Sequence, residues 1–246
     1  MLRRAPSLTD QVKNHIKDMI VQGDFSDGRV PPEMELAEAL GVSRTTVRDA
    51  LSRLEMEGTI SRRQGAGTFV NNPVLQIRSR LEEIWGYEAM LEAHGFAPST
   101  QLISSAHVRA DSSPFDDCTA VDLQLLPEEP LLLVTKLFLE NDAPVILTRN
   151  SIPERIMTET FTENDLSRPL YEFLELFTRQ RLAYYVTDIV PLAADEQIAG
   201  LLKIEVGTPL VSFDEIGYND NNEPIVKAHS YFRDDLLRLR LLRRRV

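Results

Sequence analysis

The chain has 246 residues, 43% hydrophobic and 26% charged, with 27 basic against 38 acidic side chains and a net charge of −11. No apolar run approaches the ~20 residues that span a bilayer, no apolar segment follows the arginines of MLRRAPSLTDQ as a secretion signal requires, and a single cysteine, Cys118, excludes an internal disulfide. These features imply a cytoplasmic protein of one large or two smaller domains, and its acidity argues against indiscriminate nucleic-acid binding.

The charge is uneven. Through Asn72 basic and acidic side chains are equal in number, so the acidity belongs to the later part and a locally basic face is possible in the first. Leu8, Val12, Ile16, Met19 and Ile20 recur at helical spacing, with Gly23 as terminator. The loop FSDGRVPPEM follows, then a short helix with Leu36, Ala37 and Leu40 inward and a stop at Gly41. GVSRTTVRDALSRLEMEGT predicts a third helix, capped by Ser43 and burying Val47, Ala50, Leu51 and Leu54. Arg44, Thr45, Thr46, Arg48 and Ser52 then project from the opposite side. Two guanidiniums and several hydroxyls at a helix N-terminus suit phosphates and guanine edges, though a plain solvated face has the same pattern. TISRRQGAGTFV predicts a small hairpin with a glycine tip.

Three helices and a hairpin make a winged helix-turn-helix, and the residues resemble the GntR-type bacterial transcription regulators. The resemblance rests on PPEMELA from Pro31, GVSRTTVRDAL from Gly41, LEMEG from Leu54 and RQGAGTFV from Arg63, over residues 8 to 70. It implies that Arg44 and Arg48 read bases and phosphates, that Ser43, Thr45 and Thr46 bond phosphates, and that Gln64 and Gly65 place the wing tip in the minor groove. One departure is Met34, where the family often has arginine; it either packs or shifts the operator preference.

NNPVLQIRS, residues 71–79, reads as an extended interdomain linker through which a ligand could reposition the winged domains, dividing the chain into 1–70 and 80–246. RLEEIWGYEAMLEAHG predicts a helix using Leu81, Ile84, Trp85 and Leu91, ending at Gly95. LLLVTKLFLE and PVILTRNSIP around Asn141-Asp142 predict a hairpin, and SRPLYEFLELF a helix with Leu170, Phe173, Leu174 and Phe177 on one face. LAYYVTDIVPL reads as a strand, ADEQIAGLL as a helix, and LVSFDEIGY with PIVKAHSYFRDD as a strand pair, followed by the leucine- and arginine-rich tail LLRLRLLRRR. The fold class is therefore α+β, a winged helix-turn-helix followed by a mixed domain with an antiparallel sheet.

The element order, with LLKIEVGTPL, ENDAPVIL and HSYFRDD, resembles the UTRA effector domain of the HutC-type GntR branch, which has the chorismate-lyase fold. The resemblance implies a homodimeric regulator, a repressor, that binds near-palindromic double-stranded operator DNA and a small-molecule effector. It places Lys136, Phe138, Thr148, Tyr171 and Tyr231 toward the ligand. Lys136 would otherwise be a solubilising surface charge, and the tyrosines a core edge. Lys136, Phe138 and Thr148 stand where relatives often offer two arginines and a glutamate, which disfavours a phosphorylated sugar and favours a less charged or carboxylate-bearing metabolite. The sequence carries no catalytic motif, no metal-ligand spacing among its four histidines and no cofactor signature. Asp116-Asp117, Glu128-Glu129 and Asp234-Asp235 read as solvated charge. The alternative is an enzyme of chorismate-lyase-like fold with an appended DNA-binding module.

Overall fold

Ser7 opens the first helix, α1 (Leu8–Gln22), its hydroxyl accepting the Asp10 N–H at 3.2 Å. The computed structural model describes residues 7–25, 27–75, 86–115, 118–233 and 235–243. The chain divides into two units, residues 1–80 with 241–246, and residues 81–240.

In the first unit α1 ends at Gly23, whose φ of 82° only glycine adopts cheaply. A two-residue strand β1 (Arg29–Val30) precedes α2 (Glu33–Leu40), and α3 (Arg44–Met56) follows. Val12, Ile16 and Ile20 of α1, Leu36 and Ala37 of α2, and Val47, Ala50, Leu51 and Leu54 of α3 meet in one core. The third helix therefore buries the face that its apolar spacing predicts. Leu8 stays exposed at the start of α1. The hairpin β2 (Ile60–Arg63) and β3 (Gly67–Val70) pairs as predicted, and β1 joins it in the order β1-β3-β2. That third strand was hidden in what the prolines mark as loop. Asn72–Leu75, inside the expected extended linker, instead forms a short helix, α4, with Val74 buried. Residues 76–79, Ser26, the stretch Arg80–Trp85 of the next expected helix, Asp116-Asp117, Asp234 and the last tail residues lie outside the described residues.

The second unit begins, in its described part, with α5 (Tyr87–Ala93), followed by the long strand β4 (Pro98–Arg109). The sequence does not announce β4: as an edge strand it is largely exposed, so STQLISSAHVR lacks the alternation that betrays a half-buried strand. After α6 (Thr119–Asp122) come β5 (Pro130–Glu140) and β6 (Ala143–Pro153), joined at Asn141 and Asp142. Both turn residues have positive φ, 48° and 63°, as a two-residue hairpin turn needs. Then follow α7 (Leu170–Phe177), β7 (Leu182–Ala193), α8 (Glu196–Leu202), β8 (Pro209–Asn219) and β9 (Pro224–Phe232). The six long strands form one antiparallel sheet, ordered β4-β5-β6-β9-β8-β7.

Because side chains alternate along a strand, this sheet has two distinct faces. On one, Leu132, Val134 and Ile152 pack with Phe173 and Leu174 of α7. On the other, Leu137, Leu147 and Leu210 pack with Ile198, Ala199 and Leu202 of α8. These are called below the α7 side and the α8 side.

Candidate nucleic-acid interface and ligand pocket

The Ser43 hydroxyl caps α3 by accepting the Thr46 N–H at 3.1 Å, and the two hydroxyls lie 2.8 Å apart. The cap fixes the helix start, so Arg44, Thr45 and Arg48 point outward from its first turns. The arginine side chains are 62% and 50% exposed. Both reach back to Glu33 on α2, Arg44 through Nε at 3.1 Å and Arg48 through Nη2 at 3.3 Å. Burial opposes the charged form of Glu33, but hydrogen bonds from Arg48 and Arg44 prevail and hold its carboxyl below the usual range. One carboxylate thus gathers two guanidiniums into a single patch at a helix N-terminus. Glu33 was not singled out in the sequence, since its role depends on α2 and α3 packing side by side.

Gln64 and Gly65 sit exposed at the hairpin tip, Gly65 at φ 76°. Arginines brace the wing behind them. Arg62 donates to the Arg48 carbonyl at 3.2 Å and accepts support from Glu55, whose carboxylate takes the Arg62 N–H at 3.0 Å. The Arg63 guanidinium lies 4.8 Å from the Phe69 ring centre. Met34 is 62% exposed, so the packing role open to it in the sequence is not realised.

In the second unit, Lys136 and Thr148 face each other across β5 and β6, and Thr148 faces Ser230 across β6 and β9, all on the α7 side. Lys136 is only 4% exposed, which removes the reading of a solubilising charge. Its ammonium donates to the Arg168 carbonyl. Burial draws its pKa down to about 8, against the opposing pull of Glu88. A cavity of about 10 Å³ adjoins it, walled by Val134, Ile152, Leu166 and Phe173, with Asn150 as a second polar member. The Tyr171 hydroxyl is buried without a hydrogen-bond partner among the described residues, and burial, then Glu88, raises its pKa. Phe138 is buried with its ring centre 5.4 Å from that of Tyr87, edge to face.

Glu215 on β8 belongs to the same side and was missed in the sequence. It is 8% exposed, accepts the Thr187 hydroxyl at 2.7 Å, and has no cation partner among the described residues. The Tyr87 hydroxyl donates to Ser230 at 2.7 Å and lies 3.5 Å from the other Glu215 oxygen. Burial pushes the Glu215 carboxyl up to about 7. Its signal was available in the alternation of FDEIG, which puts Phe213, Glu215 and Gly217 on one face.

Tyr231 does not join this group. It lies on the α8 side with Leu137, Leu147 and Ile198, its ring 5.6 Å below the Arg149 guanidinium. The five expected ligand contacts therefore divide four and one. A step of one residue along a strand reverses the face, and Ser230 and Phe232 are the β9 residues beside Thr148 and Ile146 on the α7 side.

Comparison with known proteins agrees with both halves. The family model "Bacterial regulatory proteins, gntR family" matches residues 8–70, and that of the UTRA domain matches residues 93–238. The chain is 28% identical over 228 residues to the HTH-type transcriptional repressor NagR of Bacillus subtilis, covering 93% of this chain and 89% of that protein. It is 24% identical over 241 residues to the mannosyl-D-glycerate transport/metabolism system repressor MngR of Escherichia coli, covering 96% and 95%. Among solved structures, the possible transcriptional regulator YydK of Bacillus subtilis matches at TM-score 0.74 and 16% identity, over 96% of this chain and 99% of that one. PhnF of Mycobacterium smegmatis matches at 0.59 and 24%, over 95% and 99%. A winged first unit presenting arginines, a six-stranded second unit with a buried polar floor, and these two matches in order make the chain a member of the GntR family of bacterial regulatory proteins, a DNA-binding transcription regulator carrying a UTRA effector domain.

Proposed function

We propose that the protein is a cytoplasmic homodimeric repressor whose hold on a short near-palindromic operator is controlled by a small carboxylate-bearing or weakly charged metabolite. The observation that carries the DNA-binding part is the pair Arg44 and Arg48, exposed on α3 and gathered by Glu33. Arg48 and Arg44 leave Glu33 for guanine edges and phosphates, with Ser43, Thr45 and Thr46 bonding phosphate and Gln64 and Gly65 entering the minor groove. Two such helices on a two-fold axis read half-sites about one helical turn apart. Names of relatives such as NagR and MngR support the repressor reading.

For the effector, support comes from the α7 side of the sheet. Lys136 borders the small cavity walled by Val134, Ile152, Leu166 and Phe173, and Thr148 faces Lys136 across the strand pair. The Lys136 ammonium donates to the Arg168 carbonyl, while Glu88 supplies an opposing charge. A ligand carboxylate would meet the Lys136 ammonium and the Tyr171 hydroxyl, which has no partner among the described residues, its apolar body lying along Val134, Ile152 and Phe173. One buried cation suits one carboxylate better than a dianionic phosphate. The free volume there is about 10 Å³, so entry requires side chains to move and selects a more open state.

Selection from random DNA tests the first part: enrichment of a short near-palindrome is expected, and no enriched motif overturns it. A melting-temperature screen against metabolites tests the second, since a ligand of the folded state raises the melting point. Carboxylates that stabilise the wild type but not Lys136→Met bear it out; stabilisation by sugar phosphates alone overturns the ligand class.

A further inference from the structure

The α8 side of the sheet carries a second buried cation that neither the DNA interface nor the ligand pocket uses. Arg149 on β6 is 7% exposed, and no carboxylate among the described residues pairs with it. Its guanidinium lies near two rings, 5.4 Å from the centre of Phe115 and 5.6 Å from that of Tyr231. Nη2 donates to Gln197 Oε1 at 2.8 Å, and the Tyr231 hydroxyl is within its reach. The planar fork has five N–H donors, so most of it is unspent on protein acceptors.

Three acids among the described residues of this region have other partners. Asp214 and Asp122 hold Lys227, Asp122 at 2.8 Å, and Asp214 also lies 3.5 Å from His229, the residue opposite Arg149 on β9. Asp195 caps α8 by accepting the Ile198 N–H at 2.7 Å. A second observation falls on the same face of the same strand: Ser151, two residues on from Arg149, is 1% exposed and its hydroxyl has no hydrogen-bond partner among the described residues. A guanidinium removed from water without a paired carboxylate among the described residues is strongly unfavourable, and two nearby rings supply only part of the compensation.

We propose that Arg149 anchors an oxyanion site on the α8 side of the sheet, taking a small phosphate or carboxylate on the edge of its guanidinium, with Ser151 Oγ as an additional donor. The rings of Phe115 and Tyr231 pack near the guanidinium, and Gln197 pins one end. The donors that remain lie in the fork geometry that matches two oxygens of one anion. Thr148 and Arg149, neighbours in sequence, thereby serve opposite faces of the sheet.

The test uses full-length protein in a zwitterionic buffer, titrated with inorganic phosphate in one arm and sodium acetate in the other, read by calorimetry and melting temperature. Saturable binding is expected in at least one arm, with the melting point rising by roughly 5 °C or more at a hundredfold excess over the dissociation constant. The arm that responds identifies the anion's geometry, tetrahedral or planar. Arg149→Met is expected to lose the response while Arg44→Ala/Arg48→Ala keeps it, which separates this site from anion capture at the DNA interface. Ser151→Ala should weaken binding severalfold and supplies the test if Arg149→Met fails to fold. The proposal is overturned if the wild type responds to neither anion, if Arg149→Met responds like the wild type, or if stabilisation follows protein concentration, which would make a second copy's carboxylate the counter-charge.

Discussion

A single carboxylate, Glu33, holds both arginines that are proposed to read DNA. Arg44→Ala and Arg48→Ala are each expected to weaken operator binding by about 1–3 kcal/mol per lost base contact and to relax preference at one base pair. Fluorescence anisotropy on operator variants over a range of salt checks this; unchanged affinity and salt slope in both would contradict it. Glu215 makes a pH prediction. Its folded pKa is about 7 against an ordinary value of 4.5, so the folded protein binds more protons than the unfolded chain between those values. Stability contributed by its protonated form is complete below about 4.5 and is lost as pH rises through 7, by about 3 kcal/mol. Glu215→Gln should remove that part of the slope and melt higher than wild type at pH 8. Denaturant titrations of the two proteins at pH 5 and pH 8 measure the difference directly.

At the scale of elements, the fold is assembled from short caps and close approaches. A Cβ added to Gly86, the residue before α5, would sit 2.2 Å from the Tyr171 hydroxyl on α7. Gly86→Ala is therefore expected to destabilise the second unit by about 1–3 kcal/mol through overpacking. Tyr171→Phe, which deletes the oxygen in the way, should recover most of that loss in the double variant. A double-mutant cycle by urea unfolding gives the coupling, and additive effects would show that the two residues do not meet. The helices were easy to foresee because α1, α2 and α3 each repeat their apolar residues along one stripe and stop at glycine or beside one. Strand β4 was not, because an edge exposed on both faces has no reason to alternate. The turn Asn141-Asp142 announced its hairpin through residues that tolerate positive φ.

For the whole molecule, the strand at the far edge of the sheet bears on assembly. Tyr184, Val186, Ile189 and Val190 of β7 are all exposed apolar residues on an edge with no further strand among the described residues, the kind of surface that proteins cover. If two copies meet there, as the proposed dimer requires of some surface, Val186→Lys should raise the dimer dissociation constant at least tenfold. Sedimentation velocity across a concentration series reads this. Binding to a full operator should weaken with it, while single half-site contacts persist. A variant that remains dimeric would move the seam elsewhere.

Read alone, the chain determines its local structure and its family, since apolar periodicity, glycine stops and the motif order from Pro31 to Val70 are properties of neighbouring residues. It also singles out Arg44 and Arg48 by their type and spacing, whereas Lys136 is named only through the resemblance to the effector-domain family. What only the tertiary structure decided is company. Glu33 reaches the arginines because α2 packs on α3, and Glu215 joins Lys136, Thr148 and Tyr171 on one side because four strands lie in the order β5-β6-β9-β8. The same register sends Tyr231 to the opposite side, where Arg149 is buried near its ring and that of Phe115. Burial and partnership depend on residues distant in sequence, and a shift of one position on a strand exchanges its two faces.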